Sequence, residues 1–210
     1  MAEVEEQTEQ AALRDALRRL KAGDIEGLAV LVRAYQVEAA RVAYLITRDK
    51  ALADDVTQEA FLRVYRHIQN YDESRPFAPY LMRIVANTAV EAVKRRQRVN
   101  HREVDVEFSD DALTDSLPHP ETELESSELQ QAIWEALESL SPEQRAVVVL
   151  RYYADYSERE VAAALNIPSG TVSWRLHNAK RRLRAILHRF DHNPAADSTA
   201  PSAYQSKQEG

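Results

Sequence analysis

The chain has 210 residues, four of them Gly, no Cys, and a formal net charge of −7, enough for one large or two small domains. The absence of Cys excludes a disulfide framework and thiolate metal sites and fits a reducing compartment. No apolar run approaches the ~20 residues needed to span a bilayer, and Met-Ala-Glu-Val-Glu-Glu is acidic where a secretory signal is basic and then apolar, so a soluble, cytoplasmic protein without membrane insertion is expected.

Many Ala, Leu, Glu and Arg, and no alternating strand pattern, predict an all-α protein. Residues 1–10, with four acids and no base, are expected to be a disordered acidic N-terminus. Residues 11–22 have the period of an amphipathic helix ending near Gly23, and Asp24 can cap a second helix through Leu28, Leu31, Val32 and Tyr35 to Ile46. Asp49 to Asp54 is expected to be a break. Asp54 or Asp55 then caps a third helix, with Val56, Ala60, Phe61, Val64 and Ile68 inward and Asp55, Gln58, Glu59, Arg63 and Arg66 on its polar face. Residues 70–79, with two prolines, read as a loop. A fourth helix is predicted from about Tyr80 to Arg98, with Leu81, Ile84, Val85, Thr88 and Val93 inward.

Charge is sorted along the chain. Residues 75–102 carry seven bases and one acid, whereas residues 103–128 carry ten acids and no Lys or Arg. Residues 101–127 are therefore expected to be an acidic, flexible linker between small helical domains at 11–100 and 128–190. The second domain opens with Leu129, Ile133, Leu137 and Leu140 as its apolar positions. Ser141-Pro142-Glu143-Gln144 is a strong helix start: a Ser cap, Pro at the first helical position and Gln three after the cap. From 191 to 210, Pro, Ser, Gln and Gly predict a disordered tail.

The most informative stretch is Ser157 to Leu187. Ser157 and Glu160 form a capping box for one short helix, and Pro168 marks a break. A second helix follows with Val172, Leu176, Ala179, Leu183 and Ile186 spaced four, three, four and three. Its other face carries Trp174, His177, Asn178 and Arg181, flanked by Ser173, Arg175, Lys180 and Arg182. Between Thr171 and Phe190 there are six Lys or Arg and no acid. Two short helices joined by a tight turn, the second basic outward, describe a helix-turn-helix with a recognition helix. Ser173, Trp174, Arg175, His177 and Asn178 are the base-reading candidates: Arg suits guanine, Asn suits adenine, and Trp can meet thymine methyls. Thr171, Lys180 and Arg181 are candidates for phosphates. Trp174 could instead pack on the preceding helix, although its wheel position predicts exposure.

Nothing in the sequence converges as an active site. The six His are scattered, His188 and His192 lie in a stretch expected to fray, and no Gly-rich phosphate loop follows a strand. No catalytic residue, metal site or cofactor is expected.

Residues 51–98 resemble region 2 of bacterial sigma factors, through Ala53-Asp54-Asp55-Val56-Thr57-Gln58-Glu59-Ala60-Phe61-Leu62-Arg63-Val64-Tyr65, then Phe77, Tyr80-Leu81, Arg83-Ile84 and Ala86-Asn87. Residues 129–187 resemble region 4, through Leu140-Ser141-Pro142-Glu143-Gln144-Arg145, Val161-Ala162, Gly170-Thr171-Val172 and Arg175-Leu176. The order and the acidic link are similar to those of the extracytoplasmic-function (ECF) group of the sigma-70 family.

The resemblance implies a monomeric subunit that joins core RNA polymerase, recognises −10 and −35 promoter elements, opens the DNA and initiates transcription of a specific gene set, with an anti-sigma factor as a further partner. It implies that Asp55, Gln58, Glu59, Arg63 and Arg66 dock a polymerase coiled coil, where the residues alone allow an ordinary solvated face. It assigns the −10 element to Tyr71, Asp72, Ser74, Phe77, Asn87 and Glu91, with Lys94, Arg95 and Arg96 on phosphates. Phe77 is equally a core residue on its chemistry. Ala78-Pro79-Tyr80 departs from the polar-then-Trp pattern usual there, and Glu91 stands where Asp or Asn is commoner. The recognition helix is assigned to the −35 element. The acidic link is either a plain tether or a segment that occupies a basic polymerase channel. The competing reading is a stand-alone helix-turn-helix regulator with a helical sensor domain, which needs no region 2.

Overall fold

The computed structural model describes residues 2–103 and 132–187. Every regular element among them is helical. Helix α1 (Ala2–Lys21) begins at Ala2 and not near residue 11. Residues 2–10 are Ala, Glu, Gln, Val and Thr, a mixture rich in helix formers, so a helix started at Ala16, Leu17 and Leu20 on the core can propagate backwards. Gly23 ends the turn at φ +91°, where the amide donates to the Leu20 carbonyl at 3.0 Å.

Helix α2 (Glu26–Thr47) buries Leu31, Ala39, Val42, Ala43 and Ile46. It closes on Arg48, a left-handed residue at φ 63° whose amide donates to the Tyr44 carbonyl at 2.8 Å. Only Asp49 then separates it from α3 (Lys50–His67). The expected break at 49–54 is thus a two-residue turn. The α3 cap is Asp49, not Asp54 or Asp55: its carboxylate accepts from the Leu52 amide at 2.8 Å. Ala53, Val56, Thr57, Ala60, Phe61 and Val64 are the buried face of α3, so Ala51 to Ala53 belong to the helix.

A 3-10 turn (Ile68–Asn70) and a short loop lead to α4 (Phe77–Glu103). Pro79 falls in the first turn of α4, where a missing amide hydrogen costs nothing, so the loop is shorter than its two prolines suggested. At the other end α4 runs through three residues of the expected linker. Leu31, Ile46, Val42, Val64, Leu81, Met82 and Val85 are the fully buried centre of this four-helix unit.

The second unit starts with α5, helical over residues 132–138. Ala132, Ala136 and Leu137 are its buried positions, and Leu140 is buried in the turn that follows. Ile133, expected inward, is 41% exposed, because the small Ala132 and Ala136 face the neighbouring helices instead. Helix α6 (Pro142–Tyr152) carries the full capping box of Ser141 and Gln144. It is buried over most of its circumference, since it lies between α8 on one side and α2 and α4 on the other. Helix α7 (Glu158–Leu165) has the Ser157–Glu160 capping box and ends on left-handed Asn166 at φ 51°. Helix α8 is Ser169–Leu187. The central linker, Leu129, His188, His192 and the expected tail lie outside the described residues.

Candidate nucleic-acid interface

Val172, Leu176 and Ala179 are buried and seat α8 against α6 and α7. This fixes which side of the basic helix faces out. Trp174 is 63% exposed, and Ser173, His177, Lys180 and Arg181 are exposed with it. Thr171, Arg175 and Asn178 are half-buried at the edges. The wheel position of Trp174 therefore decided its exposure, and the ring does not pack on the preceding helix.

Several of these side chains are already held. The Asn178 amide donates to the Trp174 carbonyl at 3.1 Å, and the Ser173 hydroxyl donates to the Glu158 carboxylate. Lys180 Nζ lies 5.6 Å from the Tyr152 ring centroid, a cation–π spacing. Arg182 bonds the Ser139 carbonyl and so braces α8 on the α5–α6 turn. The result is a convex face with aromatic, amide, hydroxyl and cationic groups at helical spacing, suited to groove edges and phosphates.

The candidates around the 71–77 loop fall into two groups. Tyr71 and Phe77 are buried, at 5% and 6% exposure. Their rings lie 5.7 Å apart and pack with Tyr35 and Tyr80 at 5.4 and 4.9 Å, so the aromatic groups form the floor of the loop, not its outer surface. Asp72 and Ser74 are exposed but bonded to each other, the carboxylate accepting from the Ser74 amide at 3.0 Å and its hydroxyl at 2.7 Å. These hydrogen bonds hold the Asp72 carboxyl below the usual range. Between this loop and α1 lies an open cleft of about 840 Å³, with Arg14, Arg18 and Arg75 around Tyr35, Tyr71 and Phe77. Arg14 and Arg18 were not singled out from sequence. Their signal was a basic stripe on α1 that only the fold carries to the loop.

On α4, Arg95 is exposed, whereas the other candidates have partners. Asn87 Nδ2 donates to the Arg83 carbonyl at 2.9 Å and to the Ala164 carbonyl of α7 at 2.8 Å. Glu91 accepts from Arg63 at 3.0 Å, Lys94 pairs with Glu143 at 2.6 Å, and Arg96 pairs with Asp49. The Leu52 amide, and then Arg96, hold the Asp49 carboxyl low against a counteracting burial effect.

The polar face of α3 is one patch. Asp55, Gln58 and Arg66 are exposed, and Glu59 accepts from Arg63 at 3.0 Å with Arg66 at 3.6 Å. Burial disfavours the charge on Arg63, but Glu59 and Glu91 outweigh it and raise its pKa. Sequence reasoning missed two members of this patch. Leu62 and Tyr65 stay 45% and 41% exposed, and a groove of about 340 Å³ runs beside Leu62 between Leu28, Val32, Thr57, Gln58 and Phe61. Two large apolar residues off the buried period of α3 were the available signal. Among the described residues no cluster of His, Cys, Asp or Glu could hold a metal ion, and no helix is long and apolar enough to cross a membrane.

Comparison with known proteins identifies the family. Residues 31–99 match sigma-70 region 2 and residues 130–183 match sigma-70 region 4. The chain is 31% identical over 183 residues to the ECF RNA polymerase sigma-E factor of Escherichia coli strain K12, covering 94% of that protein. The chain belongs to the ECF sigma factors. It is 28% identical to the ECF factor SigW of Bacillus subtilis over 83% of this chain and 96% of SigW. With the ECF factor SigE of Mycolicibacterium smegmatis it shares 36% identity over 75% of this chain, spanning 60% of that longer relative. The fold is that of CnrH, solved with the cytosolic domain of CnrY, at TM-score 0.58 and 23% identity over 85% of this chain and 98% of CnrH. It is also that of RpoE from Bartonella quintana, solved with the anti-sigma factor NepR, at TM-score 0.59 and 19% identity over 75% of this chain and 94% of RpoE. The region 2 match runs from within α2 through most of α4, and the region 4 match spans α5 to most of α8. A region 2 stands where the stand-alone regulator would need a sensor.

Proposed function

We propose that this sigma factor distributes promoter recognition and polymerase binding over three faces. The α3 patch of Asp55, Gln58, Glu59, Arg63 and Arg66 docks core RNA polymerase, and Leu62 and Tyr65 add the apolar contact that such an interface needs at its centre. The loop of Asp72 and Ser74, floored by Tyr71 and Phe77, and α4 with Asn87 and Glu91 take the −10 element. Lys94, Arg95 and Arg96 follow its phosphates. On α8, Ser173, Trp174, Arg175, His177 and Asn178 read the −35 element, with Thr171, Lys180 and Arg181 on the backbone.

The observation that carries this reading is the exposed, acid-free recognition face of α8 on the same chain as a region 2. The chain acts in the cytoplasm as a monomer until it joins polymerase, uses no cofactor, and has no reaction of its own, since the polymerase supplies the chemistry. An anti-sigma factor is a fitting partner, because the solved relative RpoE is held by one.

Run-off transcription from genomic fragments, with purified core polymerase plus or minus this protein, tests the proposal. Promoter-specific transcripts that depend on the protein are expected, and they deliver the promoter sequence. Absence of such transcripts, with tight duplex binding by the chain alone, would overturn it in favour of a stand-alone regulator.

A further inference from the structure

Two acids lie in the first turn of α7, and only one of them serves the helix itself. Glu160 closes the capping box, its carboxylate accepting from the Ser157 amide at 2.8 Å and from the Ser157 hydroxyl at 2.6 Å. Glu158 takes no part in that box. Its carboxylate crosses to α8, fifteen residues on in the chain, and accepts from the Ser173 hydroxyl. Both residues are exposed, so burial does not force them together. The pair brings a carboxylate to the outward face of a helix that has no Asp or Glu of its own from Ser169 to Leu187.

The bond decides what Ser173 can offer a base. A serine hydroxyl has one proton and two lone pairs, and it rotates to suit whatever it meets. An ionised carboxylate only accepts, so the Ser173 proton is turned toward Glu158 and the Oγ presents lone pairs alone to the groove. In the major groove adenine N6 and cytosine N4 donate, whereas guanine O6 and N7 and thymine O4 accept. An unheld serine hydroxyl pairs with any of the four bases. Held as an acceptor, it pairs with an amino group and meets a keto oxygen lone pair to lone pair. Arg175, two residues on, is a donor only and has the opposite preference.

We propose that Glu158 is a positioning residue for −35 recognition: it fixes the Ser173 hydroxyl as a hydrogen-bond acceptor and so selects an adenine or cytosine amino group at the base that Ser173 faces. The inference rests on the assignment of the outward face of α8 to the −35 element.

Holoenzyme binding to the duplex of the run-off promoter, with each −35 base pair replaced in turn, tests this by fluorescence anisotropy. In the wild type one position should prefer an amino base over a keto base about fivefold to tenfold, the scale of a single hydrogen bond gained or left unmade. Replacing that adenine by purine, or that cytosine by pyrimidin-2-one, removes only the amino group and should give a loss of the same order. Glu158→Gln keeps the shape but offers both donor and acceptor atoms, so the Ser173 hydroxyl can turn. The ratio at that position should fall to about one, with the ratios elsewhere unchanged. Ser173→Ala should give the same collapse, and adding Glu158→Gln to it should change the ratio no further. Reading a ratio cancels the uniform gain in affinity that loss of a negative charge brings. A merely structural role, as an acid near the α7 N-terminus, would lower Tm and leave every ratio as it was, and that result would overturn the proposal. So would a preference that Ser173→Ala erases and Glu158→Gln retains. Failure of the −35 assignment itself would look different, with Ser173→Ala and Arg175→Ala both leaving every ratio intact.

Discussion

Gly27 is where α1 and α2 come closest, and replacing it tests the packing of region 2. A Cβ built on Gly27 would stand 2.3 Å from the Ala16 carbonyl oxygen, 2.8 Å from the Leu20 nitrogen and 3.1 Å from Leu20 Cβ. Ordinary contacts begin near 3.4 Å, so α1 must move by about 1 Å, and the first two obstacles are backbone that cannot rotate away. Ala would gain at most about 1 kcal/mol of helix propensity over Gly, and less so near a helix end. Overpacking of a filled contact costs about 1–3 kcal/mol. The net expectation for Gly27→Ala is a loss of ~1–2 kcal/mol, or roughly 2–4 °C of Tm per kcal/mol for a chain of this size.

Gly170→Ala is the control. Nothing lies within 4 Å of its added Cβ, so it should be neutral or raise stability by up to ~1 kcal/mol. Urea unfolding of both variants, with hydrogen exchange along α1, separates global from local loss. Faster exchange over residues 16–20 in Gly27→Ala alone would match the geometry. A Gly27→Ala protein as stable as Gly170→Ala would refute the close approach. Because α1 also walls the cleft beside Arg75 and Phe77, a displaced α1 should weaken promoter opening even where the protein stays folded.

Asp49→Ala removes the α3 cap and should cost ~1 kcal/mol at pH 7. The folded Asp49 carboxyl is held low, so its contribution is present above the unfolded value of about 3.9 and fades as pH falls through the lower folded value; the gap from wild type in urea melts should close below about pH 4. Trp174→Ala, on an exposed ring, should leave Tm within about 1 °C yet lower −35 duplex affinity of the holoenzyme about tenfold in fluorescence anisotropy. Lys180→Ala should weaken binding to all sequences alike and reduce the salt slope by about one, and a sequence-dependent loss would argue against a phosphate contact. Leu62→Ser should leave folding intact and weaken core polymerase binding at least about tenfold by surface plasmon resonance, and unchanged binding would remove Leu62 from the docking patch.

The features legible in the sequence were those set by local chemistry. Ser141 with Gln144 and Ser157 with Glu160 announce helix starts through hydrogen bonds that span three residues, and both boxes form. The four-three-four spacing from Val172 likewise fixed the outward face of α8, because one buried stripe determines the rest of a helix. Asp49 was missed because Asp54 and Asp55 offer the same capping chemistry. What separates them is the left-handed turn at Arg48, which is backbone geometry absent from composition. Tyr71 and Phe77 looked like groups for a nucleotide because an aromatic in a polar loop has the same chemistry whether it faces out or in. Their burial follows from Tyr35 of α2 and Tyr80 of α4, which the fold brings together around the loop.

Charge sorting shows the same division between local and tertiary information. The basic runs on α4 and α8 are visible in one dimension and point to an anionic partner for a chain whose net charge is −7. The sequence cannot reveal that Lys94 meets Glu143, or that Arg48 and Arg145 are buried in one seam with open N–H groups. Arg145 sits in a helix where Ala146, Val147, Val149 and Leu150 are buried as well, so α6 has almost no solvent side left. The Asn87–Ala164 hydrogen bond and the burial of Arg145 and of the α6 valines depend on the neighbouring unit, whereas the apolar stripe of α8 packs on α6 and α7 of its own unit. The recognition helix is thus seated by contacts within its own unit, as a module that reads one DNA element requires.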